Sequence, residues 1–85
     1  MKHAGAAALD QLEPLLAAIR VLPGLKEKGR GVFYRGGKAF LHFHEDPAGM
    51  FADVRLAGAD FERFRVETEG ERTSFLTGVT AGLAR

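Results

Sequence analysis

His42 and His44 stand two residues apart in a β-type run, and a strand repeats its side-chain direction every two residues. Both imidazoles therefore project to one side. Such a His-x-His pair suits a divalent metal, and Asp53 on a neighbouring strand is available as a third ligand, giving the candidate set His42, His44 and Asp53. The competing reading is structural, with His42 hydrogen-bonded to Asp53 across the strands. Glu45 faces away from His44, and Asp46 organises the Asp46-Pro47 turn. The remaining histidine, His3, is expected in a flexible tail over residues 1–8.

Other chemistries find less support. The chain contains no cysteine, which removes thiol nucleophiles, disulfides and cysteine zinc sites. Ser74 is the sole serine; it falls in a helical stretch with no nucleophile-elbow motif around it. Gly29-Arg30-Gly31 leads into a strand, whereas phosphate is cradled where glycines lead into a helix. No catalytic residue is assigned, no cofactor is expected, and an enzyme is the less favoured class.

The elements that must position the histidines follow from periodicity. Leu9, Leu12, Leu15, Leu16 and Ile19 recur at helical spacing and predict an amphipathic helix over 9–22. Asp10 and Glu13 form a capping-box pattern that places Pro14 in the first turn. Pro23-Gly24 ends that helix, and residues 25–31 read as a mobile basic connection carrying Lys26, Lys28 and Arg30. Strands are expected over 32–35, 38–45, 50–56 and 62–67. Gly36-Gly37 supplies a two-residue hairpin turn, and Asp46-Pro47-Ala48-Gly49 supplies a type I turn. Thr68 with Glu71 opens a last helix whose apolar stripe is Phe75, Leu76, Val79 and Leu83; Gly78 and Gly82 within it suggest close backbone packing. The expected fold is a two-layer α+β domain of order α-β-β-β-β-α, a four-stranded antiparallel meander with both helices on one face.

Register decides what the other face carries. The glycine turn pairs Arg35 with Lys38 and extends to Phe33 opposite Phe40 and Val32 opposite Leu41. For the next hairpin, Glu45 opposite Met50 collects Val32, Tyr34, Ala39, Leu41, Phe43, Met50, Ala52, Val54 and Leu56 on one apolar face; a one-residue slip would bring Asp53 and Arg55 into it. The first register is adopted. The opposite face then gathers Phe33, Arg35, Lys38, Phe40, His42, His44, Phe51, Asp53 and Arg55, with Phe61, Arg63 and Arg65 added from the fourth strand.

Three functions fit that surface. The favoured one is a non-catalytic binding or homodimerising module for an unknown ligand or protein partner, because aromatic residues and arginine are enriched in contact surfaces. Single-stranded nucleic-acid binding through the same aromatic and basic residues is an alternative. A metal site at His42, His44 and Asp53 is the third.

Bulk properties narrow the field further. Eighty-five residues support one domain, 1–85, and a net charge of +1 excludes wholesale attraction to nucleic acid or anionic membrane. No apolar run approaches a membrane span and the first residues do not resemble a secretory signal, so a cytoplasmic location without membrane association is expected. The hairpin Val32-Phe33-Tyr34-Arg35-Gly36-Gly37-Lys38-Ala39-Phe40, after a leading helix, resembles the MmcQ/YjbR-like proteins with their double-wing motif, and His42 to Gly49 resembles a segment of small uncharacterised bacterial proteins. Those likenesses imply the helix-then-meander order and no established activity.

Overall fold

The computed structural model describes residues 2–84; Met1, part of the expected tail, lies outside the described residues. In chain order the elements are β1 (Lys2–His3), α1 (Ala6–Arg20), β2 (Leu25–Gly29), β3 (Val32–Arg35), β4 (Lys38–Asp46), β5 (Gly49–Val54), β6 (Glu62–Arg65) and α2 (Glu69–Leu83). The fold is α+β with an antiparallel sheet, as expected, but the sheet has six strands rather than four. Its order is β2-β3-β4-β5-β6, with β1 pairing β4 off that path.

Helix α1 starts earlier than periodicity indicated, because Ala6, Ala7 and Ala8 are strong helix formers that extend it toward the N-terminus. Gly5 is the N-cap and no side chain caps it, so the Asp10–Glu13 capping box does not form and Pro14 lies in the helix interior. Asp10 and Glu13 instead accept hydrogen bonds from Arg30, each at 2.8 Å, and Glu13 also meets Arg20.

The same contacts explain why residues 25–29 are a strand and not a mobile connection. Arg20 donates to Glu27 at 2.6 Å and the Gly31 N–H donates to Glu27 at 2.9 Å, while Leu25 packs against the core and Lys26 and Lys28 face solvent. Gly29 pairs with Val32 around a two-residue turn, Arg30-Gly31, where Gly31 has φ 78°.

The central registers follow the sequence reading. Gly36 and Gly37 take φ 58° and 81°, as a two-residue hairpin turn needs, and set Arg35 opposite Lys38 and Tyr34 opposite Ala39. In the second hairpin Glu45 lies opposite Met50, Phe43 opposite Ala52 and His42 opposite Asp53. The Asp46 carboxylate accepts the Ala48 N–H at 2.8 Å and holds that turn.

One pairing differs. Beyond Tyr34, Phe33 lies opposite Leu41 rather than Phe40, so β4 carries one extra residue, Phe40, in a bulge. The bulge turns Phe33 onto the face of Leu41, where only 1% of it stays exposed, while Val32 is half-buried. The core thereby takes the larger side chain of the two.

Leu12, Leu16 and Ile19 of α1 and Phe75 and Val79 of α2 close over the sheet face that carries Leu41, Phe43, Met50, Ala52 and Val54. Phe75 sits at 6.4 Å from Phe43 and 5.7 Å from Phe64, ring centre to ring centre. Helix α2 opens with a complete Thr68–Glu71 capping box. Of the two glycines expected to pack closely there, Gly82 does: a Cβ on it would come within 2.8 Å of Leu56, whereas none of Gly78's surroundings reaches 4 Å. No helix among the described residues is long and apolar enough to cross a membrane.

Candidate metal centre

Strand β4 is nine residues long and β3 only four, so the outer edge of β4 beyond Leu41 needs another partner for its backbone groups. The N-terminal segment supplies it. His3 pairs with His44 and Lys2 with Glu45, the Ala4 N–H donates to the Phe43 carbonyl at 3.1 Å, and the Gly5 N–H donates to the Glu45 carboxylate at 2.6 Å. The flexible tail expected over residues 1–8 is thus replaced by a strand and the first turn of α1. This brings the histidine assigned to the tail onto the same sheet face as the other two.

The result is a cluster of all three histidines of the chain. One ring nitrogen from each of His3, His42 and His44 lies within 4.8 Å of the others. His44 Nε2 is 2.9 Å from His42 Nδ1, and the His3 ring stacks on His44 at 4.8 Å between centres. Two imidazole nitrogens on one tetrahedral zinc ion are separated by about 3.3 Å, given Zn–N bonds near 2.0–2.1 Å. The closest pair, hydrogen-bonded at 2.9 Å, is slightly tighter than that spacing and the third nitrogen lies within 4.8 Å, so ring rotations would bring all three onto one ion.

Burial grades across the cluster. The His44 side chain is 13% exposed and His42 is half-buried, while His3 is open to solvent. His44 Nδ1 is buried and has no hydrogen-bond partner among the described residues. Such a nitrogen lacks its expected satisfaction. Burial, reinforced by the neighbouring His44, lowers the His42 pKa from its ordinary value and so favours neutral imidazole.

Asp53 occupies a different role from the one its type suggested. Its two oxygens accept a bidentate pair of bonds from Arg63, at 2.8 and 2.9 Å, and Oδ2 also lies 3.3 Å from His44 Nε2. Those bonds from Arg63 hold the carboxyl pKa below its ordinary value. Asp53 thus approaches the same His44 nitrogen that meets His42, and the three-histidine group forms without it.

The rest of the expected surface divides. Phe51 and Arg55 stay with the histidines' side of the sheet, as alternation from Asp53 requires, and Phe61 closes on His42 at 4.7 Å; the bulge at Phe40 ends that alternation on β4, and Arg35, opposite Leu25 and two residues from Phe33, takes the other side together with its partner Lys38. Phe33 and Phe40 both join the buried core cluster, Phe40 at only 3% exposure with Arg35 over its ring. Phe51 is half-buried between His44 and Arg65. The continuous aromatic patch that suggested a contact surface is therefore not formed. No family model, curated protein or solved structure matches the chain, and the chemistry of the site itself carries the functional reading.

Proposed function

We propose that this chain is a binding module for a divalent transition metal ion, held by His3, His42 and His44 on the sheet face away from the helices. The convergence of three imidazole nitrogens from two strands is the observation that carries it. Imidazole ligands favour zinc, nickel or copper over magnesium or calcium, which prefer oxygen. Neutral imidazole is the ligating form, and the lowered His42 pKa supplies it at neutral pH. Asp53, fixed by Arg63, lies beside His44 Nε2 and sets a negative charge next to the site. With three protein ligands and His3 at the solvent boundary, a coordination position stays open to water or to a further ligand.

Calorimetric titration of metal-free protein with zinc or nickel at neutral pH tests the reading. One ion per chain is expected. Outer partners of a metal typically matter by about 10- to 100-fold in affinity, so His3→Ala, His42→Ala and His44→Ala should each cost at least that. Affinity should fall as pH drops through the imidazole range, because protonated rings cannot ligate. A purely structural histidine–aspartate network would instead give variants of lower melting temperature in a protein that takes up no metal.

A further inference from the structure

At the Gly36-Gly37 end of β4, Arg35, Lys38 and Arg55 converge on a hollow of about 230 Å³ whose remaining lining is Ala39, Phe40, Leu56 and Gly58. No acidic residue lines it. Every other arginine described in this fold except Arg72 meets a carboxylate, but none of these three cations forms an ion pair among the described residues. Arg72 is bonded to the carbonyls of Val66 and Glu67. Three like charges around one small concavity repel one another unless an anion lies among them.

The geometry is also fixed in advance. Arg55 donates from Nη1 to the Ala59 carbonyl at 2.8 Å, and its guanidinium lies 4.2 Å over the Phe61 ring. Its Nε is buried, with no partner among the described residues. The outer N–H groups of such a guanidinium are charge-assisted donors for which an anion's oxygen is the matching acceptor. Arg35 is steadied over the Phe40 ring at 5.7 Å, while Lys38 remains exposed at the rim.

We propose that this hollow is a binding site for a phosphate-sized oxyanion, held by Arg35, Lys38 and Arg55. Its volume lies below the roughly 300 Å³ at which pockets for drug-sized ligands begin, so the bound group is small or is the charged end of a larger molecule. The site is separate from the histidines: Phe61 stands between them, against Arg55 on one side and His42 on the other.

The test is a titration with inorganic phosphate at constant ionic strength, chloride making up the balance, followed through the arginine Nε–H resonances by NMR. A saturable shift of the Arg55 Nε–H signal is expected. Loss of one charge-assisted contact typically weakens binding by about tenfold or more, and Lys38→Gln and Arg35→Gln, both at exposed positions, should do so without unfolding the protein. His42→Ala should leave phosphate affinity unchanged. A parallel titration with glycerol phosphate separates the two sources of the same chemistry: tighter binding than phosphate assigns a phosphomonoester, equal binding assigns the free anion. A shift that grows linearly without saturating, or one of equal affinity in Lys38→Gln and Arg35→Gln, would overturn the proposal.

Discussion

The two ends of strand β4 lie only about 7 Å apart from His42 to Phe40, yet they treat their polar groups in opposite ways. At the histidine end, charges are matched within the protein: Asp53 is held by Arg63, and His42 and His44 bond each other. At the cationic end, Arg35, Lys38 and Arg55 have aromatic rings and a backbone carbonyl for company but, among the described residues, no carboxylate. The first end is built around lone pairs and the second around N–H donors. On the proposals made above, the first takes a cation and the second an anion.

The largest effect that could break this contrast is at Phe40. If it floors the cationic end as a core residue, Phe40→Ala should cost about 3–5 kcal/mol of unfolding free energy, measured by urea denaturation. A cost under about 1 kcal/mol, usual for surface sites, would mean the ring is exposed and the face is aromatic after all.

Asp53 sharpens the contrast through pH. Arg63 lowers its folded-state pKa, so the unfolded chain binds the proton more readily as pH falls. The stability this gives is complete above the ordinary carboxyl value of 3.8 and is lost as pH falls through the lowered one. Asp53→Asn should flatten that acid limb of a pH–stability profile. It should also weaken metal binding, by about tenfold, because a negative charge beside the ligating nitrogens is removed.

Lys38 should show the smallest effect. Lys38→Gln removes one of three unpaired cations at an exposed site, and its stability should stay within about 0.5 kcal/mol of the parent by thermal denaturation, with zinc affinity unchanged. A loss of zinc affinity would couple the two ends and remove the distinction between them.

How much of this was legible depended on whether the determining interaction was local. Gly36-Gly37 and the Asp46-Pro47 turn fix their hairpins through adjacent residues, so the alignment of His42 with Asp53 could be read from the sequence. The Thr68–Glu71 cap is local in the same sense. His3 was not legible, because its partner is forty-one residues away, His44, and two residues are too few to show a strand period. The signal available was indirect: a long β4 beside a short β3 leaves an edge to be filled. Strand β2 was obscured by Lys26 and Lys28, which are poor strand formers, and is held by Arg20 reaching from the preceding helix. The bulge at Phe40 carries no local signature; competition between Val32 and Phe33 for one core place decides it.

The most direct test of the central claim uses the fact that the chain has only three histidines, all in the cluster. Their imidazole nitrogens can be followed by long-range ¹H–¹⁵N NMR while zinc is added to metal-free protein at neutral pH. The account predicts that His3, His42 and His44 shift together and that all three changes end at one equivalent. Resonances that stay in place at one equivalent, or His42 and His44 shifting while His3 does not, would contradict a three-histidine metal centre.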